Sequence, residues 1–185
     1  TDAYMYEDGS NLYVAFVAED PQPSQITASL RDRDTLWQDD TVILIIDTFN
    51  DERSAYEFYV NPLGAQGDTR MSDTDGWQSD PSWDAIWDSA GKITEQGFVV
   101  EMRIPFKALR FPENKPDLTW GFAVLRNYQR DVLYQLSNMG FDRDIKCSLC
   151  QFDKLHGFKN VKASKNLQLT PTLTALRNDS KPTLP

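Results

Sequence analysis

WQDDTVILIIDTFNDERSAYEFYVNPLGAQGD, running from Trp37 to Asp68, decides the fold. Its middle, Thr41–Asp47, reads TVILIID and is apolar at every position from Val42 to Ile46. A strand turns successive side chains to opposite faces. An unbroken apolar run is therefore covered on both sides and belongs at the centre of a sheet. Val42, Leu44 and Ile46 should face one way, Ile43 and Ile45 the other. Asn50-Asp51-Glu52 reads as a turn. Beyond it Ala55–Asn61 alternates, with Tyr56, Phe58 and Val60 on one face and Glu57, Tyr59 and Asn61 on the other. Pro62 ends that strand, because proline has no N–H to give to a ladder.

The same signals recur outward from this pair. NLYVAFVAE (Asn11–Glu19) is a strand behind the turn Asp8-Gly9-Ser10. WDAIW (Trp83–Trp87), GFVVEMRI (Gly97–Ile104), TWGFAVLR (Thr119–Arg126) and Val132–Ser137 are further strands. Residues 64–82, with Gly64, Gly67, Gly76 and Pro81, read as a long loop holding one short strand at most. Short strands without a helical period predict an all-β chain, an antiparallel β-sandwich of jelly-roll type with an irregular C-terminal tail. The sandwich is expected over residues 1–140. Residues 141–185 read as a linker or as the opening of something that continues.

Composition narrows the function. The net charge is −9, from 28 acids against 19 bases. Nucleic acids and anionic membranes need clustered Lys and Arg, so neither is an expected partner. Residues 146–185 reverse the balance, with 2 acids and 7 bases, and so differ in kind from the body. No run of about 18 apolar residues offers a membrane helix. The chain opens at Thr1 with no signal peptide, as an excised or processed piece would. One His and no nucleophile elbow argue against triad catalysis. The carboxylates Asp84 and Asp88 could mimic a glycosidase pair, but solvent exposure on an alternating strand explains them, and no enzyme is expected.

In their order, NLYVAF, WQDDTVILIIDT, YEFYVNPLG, WDAIW, GFVVEMRIPFKALRF and WGFAVLRNYQR resemble the family 9 carbohydrate-binding modules. The closer likeness is to the family-9-like domain that opens uncharacterised outer-membrane barrel proteins of Gram-negative bacteria. GxxxExxIPFxxL and W-x-x-D-[ST]-V are the most specific pieces, and the match spans residues 4–137. The resemblance implies a β-sandwich that binds an oligo- or polysaccharide without catalysis. It also implies export to the periplasm or outer-membrane surface. KNLQLTPTLTALRND (165–179) would be the approach to a barrel, and the barrel the only membrane contact. In sugar-binding members a ring lies between two tryptophans, because sugar C–H faces are apolar and their rims polar. Trp37 matches the first tryptophan. Ile43 stands where the family carries Glu, and Tyr59 where it carries Arg, so two polar contacts are replaced. Asn61 matches the Asn of that motif.

Each candidate carries an alternative. Trp37 is a stacking platform or an edge tryptophan over the core. Trp77, in a Gly/Asp/Ser loop, is the candidate second wall. Trp83, Trp87 and Trp120 read as core. Arg31, Arg33 and Arg70 would hold hydroxyls or acidic sugars, or form surface ion pairs. Asp68, Asp73 and Asp75 crowd one stretch, and family relatives can carry structural calcium; the alternative is a solvated acidic loop. Cys147 and Cys150 form a CxxC without the His of a haem motif or the further ligands of a zinc site. In an exported chain they are expected to pair as a disulfide. Two functions remain open: glycan binding, or a structural or protein-interaction domain with no sugar ligand.

Overall fold

The computed structural model describes residues 1–74, 76–112, 118–158, 161, 171–175 and 177. One sheet is built from β1 (Asp2–Glu7), β2 (Asn11–Glu19), β7 (Asp88–Thr94) and β8 (Gly97–Pro105), in the order β1-β2-β8-β7. The other is built from β3 (Thr41–Asp47), β4 (Ser54–Val60), β5 (Gln66–Ser72), β6 (Gln78–Asp80), β9 (Trp120–Gln129) and β10 (Leu133–Ser137). Its order is β10-β9-β3-β4-β5-β6. A last strand, β11 (Asp153–Leu155), pairs with β9 at Trp120–Phe122, beyond the end of β10. Every pairing is antiparallel, and the predicted sandwich is the fold.

β3 lies between β9 and β4, and all seven of its residues are buried. Val42, Leu44 and Ile46 join Tyr56, Phe58 and Trp120 in the core between the sheets, facing Leu12, Val14, Phe16, Phe98, Val100 and Met102. Ile43 and Ile45 look outward, as the alternation requires, and meet a second cluster with Met71, Ala123, Leu125, Leu149 and Phe152. Trp87 and Trp120 are buried as expected, and Trp83 packs partly buried against Tyr56 at 4.7 Å between ring centres. Only Gly97 fits the β7–β8 corner: its φ is +144°, and a Cβ there would stand 2.0 Å from the Ala18 carbonyl oxygen.

Two expectations change. The stretch 64–82 holds two strands, β5 and β6, where one short strand was allowed for, and the polar residues of β5 hid the longer of them. The stretch 83–87 lies outside any strand; its tryptophans turn inward from irregular chain just before β7. Packing also continues past residue 140. Residues 139–155 return across the outer face of the larger sheet, burying Leu149 and Phe152 and adding β11. Of the predicted approach to a barrel, only 171–175 and 177 are among the described residues.

Candidate functional site

The outer face of the larger sheet carries the residues that the family motif singled out. Strand register sets Ile43, Tyr59 and Gly67 in one row and Ile45, Glu57 and Thr69 in the next. Phe141 and Met139 pack over this surface from the returning segment. Between that segment, β10 and the Trp77 loop lies an open cleft of about 770 Å³, within the roughly 300–1,000 Å³ of small-molecule sites. Its walls include Trp77, Phe141, Gln135, Arg143, Lys146 and Gln151.

Trp77 is held, not loose. It stands 42% exposed, its ring 6.5 Å from that of Phe141 and tilted 67° to it. Its Nε1 donates to Ser79 Oγ at 3.3 Å, and Ser79 Oγ donates to Glu57 Oε2 at 2.7 Å. Thr69 Oγ1 also donates to that carboxylate. Glu57 is fully buried, so a buried acid fixes the wall through one hydroxyl. Burial, and then the negative charge of Glu57, raise the Tyr59 phenol above its ordinary value, so Tyr59 is neutral throughout the physiological range.

Trp37 takes a different place. It is 45% exposed and meets Tyr59 edge-on, 5.2 Å between centres and 84° between planes. It does not line the cleft that Trp77 lines.

Most of the predicted polar contacts are already committed. Asn61 is buried; its Nδ2 donates to Ser29 O and Asp39 Oδ2, and its Oδ1 accepts from the Leu63 and Ala65 N–H groups. A carboxamide has two donors and two acceptor positions, so none is left for a ligand. Arg31 Nε pairs with buried Asp39 at 3.2 Å. Arg33 donates to Asp68, to Gln66 Oε1 and to Ala85 O, with its guanidinium 5.9 Å over the Trp87 ring. These are fastenings of the 27–39 segment, not free hooks. Arg70 is exposed on β5, paired in register with Asp80. Asp84 and Asp88, the glycosidase-like carboxylates, pair with Arg33 and Arg103 respectively.

The acids read for calcium do not form one set. Asp68 is buried and accepts from Arg33, the Ala85 N–H and Trp87 Nε1. Burial raises its pKa, against these donors. It converges with Asp34 and Asp84, but Arg33 reaches all three, so the guanidinium already stands where a cation would. Asp73 instead accepts the Ser148 and Leu149 N–H groups. Asp75 lies outside the described residues.

Cys147 and Cys150 are joined by a disulfide, directly beside the turn that Asp73 grips. Thiol titration of the unfolded, unreduced protein should find no free thiol. Reduction should cost about 2 kcal/mol, as loop-closure entropy gives for so short a loop. The loss should fall on residues 139–152, with their amides exchanging faster while those of β3 stay protected. Equal exchange in both regions would show that the bond does not hold this segment.

Sequence reasoning missed Glu57, Ser79, Phe141, Arg143 and Lys146. Glu57 left a trace, since the alternation already put it beside Tyr59. The other four come from stretches with no period to read.

Comparison with known proteins follows the same geometry. No curated protein matches the chain significantly. Among solved structures, a family 9 carbohydrate-binding module of Caldicellulosiruptor kristjanssonii solved with glucose is 18% identical, with a TM-score of 0.51 over 89% of this chain and 78% of that one. The module solved with cellotriose gives 17% identity and 0.53 over 92% and 83%. A protein of Bacteroides uniformis is 14% identical, with a TM-score of 0.56 over 83% and 76%. At such identities these likenesses establish the fold. The family model described as "Carbohydrate family 9 binding domain-like" matches residues 2–142, most of the chain, and the chain belongs to that family.

Proposed function

We propose that the domain is a non-catalytic glycan-binding module whose ligand enters the cleft between Trp77, Phe141 and β10. One observation carries this: an exposed tryptophan, oriented by Ser79 and Glu57, forms a wall of an open cleft on the outer face of the larger sheet. An aromatic plane suits the apolar face of a pyranose, while Gln135 and the loop cations suit its hydroxyl rim. Family membership and two neighbours solved with glucose and cellotriose support a saccharide. Ile43 and Tyr59 remove two polar contacts that the family motif offers near Trp37, which favours the Trp77 cleft over that end of the face. The disulfide supports an exported location, since such bonds persist in oxidising compartments. The likeness to barrel-attached domains supports a place at the outer membrane.

The test is a glycan array on the isolated domain, followed by titration calorimetry on its hits. Affinities weaker than micromolar are expected, given an open cleft with few committed polar partners. If nothing on the array binds while circular dichroism shows intact β structure, the domain is a structural or interaction module instead.

A further inference from the structure

We infer that the ligand of this cleft is an acidic oligosaccharide, one whose sugar rings carry carboxylates; the inference rests on the glycan-binding reading above. The argument is the disposition of charge. Six cations of this acidic protein are spoken for: Arg31 by Asp39, Arg33 by Asp68, Arg103 by Asp88, Arg126 and Arg130 by Asp20, and Lys154 by Glu52. Arg143 and Lys146 line the cleft, and neither has an ion pair or hydrogen bond among the described residues. Among the described residues of the lining the one acid is Asp142, which accepts the Asp144 N–H through Oδ1. The described lining therefore carries two cations against one acid, on a chain of net charge −9.

The two cations also have a fixed mount. The Ile145 N–H donates to Asp142 O and closes a turn. Gln151 clamps that turn from both sides: its Oε1 accepts the Asp142 N–H, and its Nε2 donates to Asp142 O and Cys147 O. The disulfide closes the next four residues on themselves, and Asp73, just beyond β5, holds them through the Ser148 and Leu149 N–H groups. A carboxylate at C6 of a pyranose projects from the ring edge. A ring stacked on Trp77 would therefore direct it toward the rim, where Arg143 and Lys146 stand. A lining whose cations outnumber its acids also concentrates anionic ligands before contact.

The test compares cellotetraose with the β-1,4-glucuronan tetramer, which differs from it only in the carboxylate at each C6. Calorimetry at low salt should show the acidic sugar binding about five- to tenfold tighter, as two exposed charge pairs allow. The advantage should fade at high ionic strength and vanish in the Arg143→Gln/Lys146→Gln double variant, whose fold is checked by circular dichroism. Trp77→Ala should weaken both sugars. Equal affinity for the two overturns the charge inference and leaves the glycan reading standing. So does an acidic preference that survives the double variant. Inorganic sulfate competing as well as the uronan would make this a simple anion site and overturn the inference. Binding of neither sugar by the folded protein, in an array that also returns no other glycan, overturns both.

Discussion

Replacing Asp20 by alanine should lower the unfolding free energy by about 3–5 kcal/mol, the usual cost of removing one partner of a buried ion pair. Asp20 closes β2 with a fully buried side chain. It accepts Arg126 Nη2 at 2.8 Å and Arg130 Nη2 at 2.5 Å, one from β9 and one from just beyond it, and so ties one sheet to the other. Arg126 is 4% exposed, packed 5.1 Å from Phe98 and 5.0 Å from Tyr128, and would be left with a charge it cannot carry into water. Arg130 would keep Asp40. Urea denaturation measures the effect, and a loss below about 1 kcal/mol would mean that the pair does not fasten the sheets. Acid gives a second view. Burial pushes the Asp20 pKa up, but the Gln22 N–H and the guanidiniums of Arg130 and Arg126 outweigh it, and the net direction is down. A lowered carboxylate stabilises the fold above its ordinary pKa and loses that contribution as pH falls through the folded value. Wild type should therefore weaken below about pH 3.9, more steeply than the Asp20→Ala variant.

Trp77→Ala should weaken glycan binding by about 2–4 kcal/mol, taking truncated binding hot spots as the guide, or roughly 30- to 1000-fold. The variant should lose less than about 1 kcal/mol of stability, because a half-exposed ring off the core contributes little to folding. Trp37→Ala should bind within about threefold of wild type, a difference below 1 kcal/mol, since Trp37 covers Tyr59 outside the cleft. Calorimetry on an array-selected glycan separates the cases. The reverse pattern, binding lost with Trp37 and kept without Trp77, would move the ligand to the Tyr59 end of the face.

What the sequence disclosed followed from periodicity. TVILIID has no polar residue to expose on either face, so its central, doubly covered place could be read directly, and so could the turn to YEFYVN. What covered Ile43 and Ile45 could not. Phe141, Leu149 and Phe152 reach them from irregular chain and one short 3-10 turn, and such contacts leave no repeat in the sequence. β5 was hidden for the opposite reason: Asp68 turns inward to meet Arg33, so a polar stretch occupies a buried strand. Asn61 and Arg33 have the side chains a sugar site would use, but the same atoms satisfy buried backbone and buried acids. Residue type shows what a group can bond, and only packing shows whether it already has.

The segment that crosses the larger sheet also fixes how short the chain can be made. A cut after Gly140 would keep both sheets of the sandwich, losing only β11. It would also strip Phe141, Leu149 and Phe152 from the outer face and bare Ile43, Ile45, Ala123 and Leu125 as one contiguous oily surface. Patches of that kind drive proteins to associate with themselves. The truncated protein would elute at rising apparent mass with concentration on gel filtration, while the chain carried through Leu155 would not. The smallest soluble unit is thus longer than the smallest folded one, and the residues between the two form the cleft wall.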